Sequence, residues 1–267
     1  MTLTKADWQA RAAALKPETR LFIDGEFVAA ADGGTFATIN PATGEALAEV
    51  ARGRAADVDR AVASARRAFR DGRWSRMDPR GRMEVLARFA DLVEAHAEDF
   101  ALLDTLDMGK PISDMLAIDV PGSVSNLRFF AEVVDKMEGA VTNTTASALH
   151  YVLRQPMGVC AIVVPWNYPL MMAAWKLGPA LATGNSVVLK PAEQSPLSAL
   201  LLARLFVEAG GPAGVLNVVT GLGEEAGKPL ALHMGVEKIA FTGSTEVGKL
   251  MFVYSGQSNM KRVTTEC

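Results

Sequence analysis

Only two cysteines, Cys160 and Cys267, occur in the 267 residues, too few for the disulfide framework of a small secreted domain. The three histidines, His96, His150 and His233, are scattered and offer no metal-ligand spacing. No apolar run is long enough to span a bilayer. The richest, Leu170–Thr183, is broken by Lys176, Gly178 and Pro179. An excess of one charge is missing too. A net charge of −3 gives no attraction toward nucleic acid or an anionic membrane, so neither is expected as a partner. The first residues set Lys5, Asp7 and Arg11 among alanines and contain no apolar secretory core. Asn143-Thr144-Thr145 matches a glycosylation sequon, but with no signal segment it reads as chance. There is no internal repeat and no low-complexity tract. These absences leave the expectation of a soluble, cytoplasmic protein, and a hydrophobic content of 49% allows it a sizeable core.

What is present divides into two styles. Leu21–Val28 is apolar on both sides of Asp24-Gly25, a two-residue hairpin turn, and Asn40-Pro41 and Thr43-Gly44 are turn signals ahead of an apolar Leu47–Val50. Helical spacing then takes over. Val58, Ala61, Val62, Ala65 and Phe69 form one stripe, and Met83, Leu86, Phe89, Ala90 and Val93 another. Phe100–Asp107 and Leu127–Met137 read as further helices. The chain turns polar and small at Thr142–Ser147, a boundary, and Leu149–Arg154 has strand-like character.

From Val159 the pattern becomes regular. Val159–Val164 is a continuous apolar run, and strands are predicted there and at Ser186–Leu189, Val215–Val219, Lys238–Phe241 and Arg262–Glu266. Helices are predicted between them at Leu170–Ala182, Pro196–Ala209 and Thr245–Tyr254, with a fourth around Glu224–His233 interrupted by Pro229. Strands alternating with helices of this length predict an α/β fold with a five-stranded parallel sheet, doubly wound. Ligands in such sheets bind beyond the carboxyl ends of the strands. The turns there are Pro165-Trp166-Asn167-Tyr168-Pro169, Lys190-Pro191-Ala192-Glu193, Gly221-Leu222-Gly223 and Thr242-Gly243-Ser244-Thr245. The last leads into a helix, whose free N–H groups favour an anion, although Ser and Thr at such a place commonly just cap the helix. The Gly-x-Gly-x-x-Gly dinucleotide fingerprint is absent from the first strand–helix turn.

Taken together and in this order, these motifs resemble the aldehyde dehydrogenase family. The resemblance rests on Pro165–Pro169, Lys176–Asn185, Lys190–Glu193 and Phe241–Thr245, and also on Asn40–Glu45 and Leu106–Pro111. It runs from about Leu21 to the end. Within the family the chain looks nearest the γ-glutamyl-γ-aminobutyraldehyde dehydrogenases, partly through Ser258–Val263. The resemblance implies NAD as cofactor, with NADP possible, and an aldehyde as substrate. Asn167 would give its side-chain amide to an oxyanion hole, and Glu266 would be the general base that activates water against a thioester. Lys190 and Glu193 would hold the adenosine ribose, a carboxylate there favouring NAD over a 2′-phosphate. Pro165, Trp166 and Val247 would flank the cofactor, Gly223 and Gly243 would let it approach, and Ser244 would help bind its pyrophosphate.

The resemblance further implies a Rossmann-like core at 158–267. A partial oligomerisation arm would occupy 142–157, and a hairpin and helical region at 1–141 would pack on the core. A homo-oligomer is implied for the full-length parent. The family's glycine pair, lysine and nucleophilic cysteine would follow Glu266, and the 267 residues do not reach them. Cys160 lies in an apolar strand, where burial disables a thiol. Cys267 follows Glu266 on a strand and is expected to face away from it. By this reading the catalytic domain is missing and the 267 residues are inactive alone, though able to bind dinucleotide. A short binding or regulatory module and a non-functional truncation product stay open as alternatives.

Overall fold

A computed structural model describes residues 3–267. The chain opens with α1 (Lys5–Ala14), whose first turn is closed reciprocally: Thr4 Oγ1 accepts from the Asp7 N–H and the Asp7 carboxylate from the Thr4 N–H. The hairpin β1 (Leu21–Ile23) and β2 (Glu26–Val28) follows. Asp24 and Gly25 both take positive φ, 58° and 86°, as a tight Asp-Gly turn requires. A second hairpin, β3 (Thr35–Ile39) and β4 (Ala46–Ala51), forms its own small sheet. Next come the helices α2 (Ala55–Arg70), α3 (Pro79–Ala95), α4 (Ala97–Met108), α5 (Ile112–Asp114) and α6 (Val120–Val133). An exposed hairpin, β5 (Ala140–Thr142) and β6 (His150–Val152), precedes the regular half. Its pairing begins at Ala140 and so reaches across the boundary expected at 142.

The regular half runs β7 (Val159–Val163), α7 (Pro169–Ala182), β8 (Ser186–Lys190), α8 (Leu197–Glu208) and β9 (Leu216–Val218). A π turn at Gly223–Gly227 then enters α9 (Lys228–Leu232), followed by β10 (Lys238–Thr242), α10 (Thr245–Gly256) and β11 (Arg262–Glu266). Pro229 sits in the first turn of α9, which continues directly from the π turn, so the expected interruption takes the form of a change in helical pitch just ahead of the proline.

The strand order is β11-β10-β7-β8-β9-β1-β2. Neighbours from β11 to β9 are parallel, as the strand–helix alternation predicts. The sheet does not stop at five strands, however. β1 pairs antiparallel with β9, Phe22 opposite Val218, and β2 with β1, giving a mixed seven-stranded sheet. The added hairpin covers the edge that β9 would otherwise leave unpaired, and the side chain of Asn217 pins it by accepting the Asp24 N–H at 3.0 Å. Periodicity cannot reveal a pairing between residues so far apart in sequence.

Both faces of the sheet are covered. One carries the larger core, where Trp74, Phe89 and Phe206 meet edge to face and the Trp74 Nε1–H donates to Leu181 O at 3.0 Å. The other packs Val58, Ala61, Val62 and Ala65 of α2, with α9 and α10, on Val159, Val188 and Ile239. No described helix is long and apolar enough to cross a membrane.

Candidate functional site

The strand order reverses at β7: the chain proceeds outward through β8 and β9, then returns to place β10 and β11 on the other side of β7. Crossovers leave on opposite faces at such a point and open a crevice at the carboxyl edge of the sheet. A cleft of about 650 Å³ lies there. Five separate segments line it, and among them are all ten residues singled out above: Pro165, Trp166, Asn167, Lys190, Glu193, Gly223, Gly243, Ser244, Val247 and Glu266.

Each is positioned by the end of an element. Asn167 stands between the end of β7 and the start of α7, exposed, and its side-chain amide has no hydrogen-bond partner among the described residues. The alternative use of a turn asparagine, bonding to its own backbone, is thus not seen. Trp166 is 53% exposed, and its carbonyl is held by the Ser195 hydroxyl at 3.0 Å, which ties the β7 turn to the β8 turn.

Lys190 ends β8 and is only 3% exposed. Its Nζ donates to Glu193 Oε2 at 2.9 Å, and Glu193 stands at the rim. Burial lowers the pKa of Lys190 below the usual lysine range, and the Glu193 charge opposes that shift. Ser244 caps α10, its Oγ accepting from the Val247 N–H at 3.2 Å, so the hydroxyl performs the capping duty common for a serine at this place. This positive end of α10 borders the cleft through Ser244 and Val247. At Gly223 a Cβ would meet nothing within 4 Å, which leaves that wall open to close approach.

Glu266 closes the far side. The Thr242 hydroxyl donates to its Oε2 at 3.4 Å and itself accepts from Lys176 Nζ at 2.6 Å. Burial lowers the Lys176 pKa while the nearby Glu266 charge raises it. An ammonium, a hydroxyl and a carboxylate therefore stand in line. The sequence marks Lys176 as a break in an apolar run and as part of a motif, without a role in the site. The available signal was a lone charge in the otherwise apolar stretch that became α7.

The two cysteines differ. Cys160 is buried, and that burial pushes its thiol up to about 12, as expected for a residue inside an apolar strand. Cys267 turns as expected: its Sγ lies against Gly248 on the same side as Thr265, whereas the Glu266 carboxylate points to Thr242 and Lys176, although both residues border the cleft. The Asn40-Pro41 and Leu106–Pro111 motifs meet each other outside the cleft: a Cβ at Gly109, where φ is 84°, would lie 2.9 Å from Pro41 Cγ.

Residues 27–267 match the sequence model of the aldehyde dehydrogenase family. The chain is 54% identical over 261 residues to the NADP/NAD-dependent aldehyde dehydrogenase PuuC of Escherichia coli, covering 98% of this chain and 53% of that protein. Among solved structures, an indole-3-acetaldehyde dehydrogenase in complex with NAD+ superposes with a TM-score of 0.99 at 56% identity, over 100% of this chain and 54% of that one. A γ-glutamyl-γ-aminobutyraldehyde dehydrogenase from Burkholderia cenocepacia gives 0.97 at 54% identity, over 99% and 53%. The chain spans about half the length of the relatives it matches.

Proposed function

The chain belongs to the aldehyde dehydrogenase family, and on that footing we propose that it forms the dinucleotide-binding part of an enzyme that oxidises an aldehyde to a carboxylic acid. The observation that carries this reading is the convergence of ten residues from five segments on one cleft at the switch point of the sheet. The cleft's size falls within the range of ligand pockets, and its features suit NAD. Gly223 leaves room for a close approach, the N-terminus of α10 offers N–H groups to a pyrophosphate, and the Lys190–Glu193 pair offers a donor and an acceptor to a ribose.

When bound, NAD would supply a hydride acceptor. The chain's own residues supply the rest. The free amide of Asn167 would donate to the oxygen of the aldehyde as that oxygen gains negative charge. Glu266 would accept the proton of the water that releases the acid, with the Lys176–Thr242 pair setting the orientation of its carboxylate. Neither cysteine is assigned as nucleophile, so we assign turnover to the protein in the length its relatives have and cofactor binding to the part described. The β5–β6 hairpin, with Val141, Tyr151 and Val152 exposed, is proposed as the arm through which copies assemble.

Adding NAD to the chain should quench Trp166 fluorescence saturably, and a Trp166→Phe variant should lose that signal. Absence of binding by calorimetry up to millimolar NAD would refute the reading.

A further inference from the structure

The cleft's third wall, the turn from Gly221 to Gly227, is gripped from outside by a segment the cofactor reading does not use. We infer that Arg52 and Arg54 are positioning residues that hold this turn in the shape the cleft needs; the inference rests on the cleft being the dinucleotide site. Arg52 makes a two-pronged pair with Glu225, Nε to Oε2 at 2.8 Å and a terminal nitrogen to Oε1 at 2.6 Å. Arg54 reaches the same carboxylate with its Nε at 3.2 Å, and its other end pairs with Asp32. Both guanidiniums thus close on Glu225, the middle residue of the π turn Gly223–Gly227. The Glu225 carboxyl is held below the usual range chiefly by its bond to Arg52, so it stays ionised.

The backbone between the arginines is packed as tightly. The Gly53 N–H donates to Thr220 O at 2.9 Å, and the Thr220 hydroxyl donates to Ala51 O at 2.6 Å. A Cβ on Gly53 would lie 2.6 Å from Thr220 O, and one on Gly221, whose φ is 144°, would lie 2.5 Å from Gly53 O. No side chain fits at either place. The two glycines let Arg52 and Arg54 straddle the end of β9 and reach past it to Glu225.

What they hold bears on the cleft at both ends. Gly223, the first residue of the π turn, lines it. Gly227, the last, stands so that its Cβ would be 4.0 Å from Lys190 Cδ, against the stem of the lysine that pairs with Glu193. A π turn spaces its hydrogen bonds one residue wider than an α-helix and persists where its surroundings enforce it. Loosening Glu225 would let the turn tighten, moving the open wall at Gly223 and the support behind Lys190 together.

The test compares the wild-type chain with Arg52→Ala, Glu225→Ala, the double variant and Arg52→Lys. It follows amide hydrogen exchange at 221–227 without cofactor, and NAD affinity by calorimetry. Arg52→Ala should speed exchange in that segment selectively and weaken NAD by about three- to tenfold, the scale of a partly exposed ion-pair network. Glu225→Ala, which also frees Arg54, should lose at least as much, and the double variant should lose no more than Glu225→Ala alone. Arg52→Lys should recover part of the loss, because an ammonium cannot make the two-pronged contact. Unchanged exchange at 221–227 overturns the inference whatever the cofactor does. Faster exchange with wild-type NAD affinity overturns the positioning role. A wild-type chain that takes up no NAD overturns the cleft reading itself, a failure told apart because the exchange difference needs no cofactor.

Discussion

Replacing Asp104 by asparagine should stabilise the protein, by an amount that grows with pH. Asp104 lies on α4 with its side chain fully buried, and its Oδ1 has no partner among the described residues. Burial, chiefly, raises its carboxyl from 3.8 to about 8; the Ser198 hydroxyl opposes the rise, and the charge of Asp107 adds to it. The folded protein therefore keeps this proton up to about pH 8, while the unfolded chain releases it near 3.8. Between those values the unfolded state binds fewer protons than the folded one, so stability falls as pH rises. One group contributes a slope of about 1.4 kcal/mol per pH unit, or roughly 3 kcal/mol between pH 5 and pH 7. Asparagine does not titrate. Its oxygen can still accept from the Leu170 N–H, and its amide can donate toward the neighbouring Ser198 hydroxyl. Urea unfolding of both proteins at pH 5, 6 and 7 measures the effect. The advantage of the variant should widen by ~3 kcal/mol across that window. Parallel stability curves would mean that Asp104 titrates alike in both states, and would refute the reasoning.

Two further predictions concern the cleft. Glu193→Gln removes a negative charge from the rim and should shift the ratio of NADP to NAD affinity toward NADP by about tenfold, as removing one repulsion across several ångströms of wet cleft allows. An unchanged ratio in paired calorimetric titrations would count against the ribose assignment. Asn167→Ala, in the protein at its relatives' length, should lower turnover on the order of 10²–10³-fold and leave NAD affinity alone. If turnover and NAD affinity fell together, Asn167 would be a cofactor contact instead of an oxyanion donor.

Local physics made much of this molecule legible in its sequence. The stripe from Val58 to Phe69 became α2, and the buried runs after Val159 became parallel strands, because one-sided or two-sided burial leaves a period in the chain. The Asp24-Gly25 turn was readable for the same reason: few residues tolerate its backbone angles. Topology pointed to the turns at strand ends, and the family resemblance named the site residues in and around them. What stayed hidden was non-local. Nothing in Leu21–Val28 says that it completes the sheet beside β9, nothing in Arg52 says that its partner is Glu225, and Lys176 gains its meaning only when Thr242 is brought beneath it. The opposed facing of Glu266 and Cys267 was legible, because strand alternation carries through to the last residue.

The pairing of β1 with β9 also sets a timetable. Phe22 leaves the ribosome 196 residues before Val218, the residue it faces. At ordinary rates of synthesis that interval is roughly 10–40 s, far longer than a hairpin needs to form. Throughout it, Leu21, Phe22 and Ile23, all buried in the finished fold, have β2 on one side and no strand on the other. The nascent hairpin is thus a sticky edge during most of translation, and β9 is the strand whose arrival retires it.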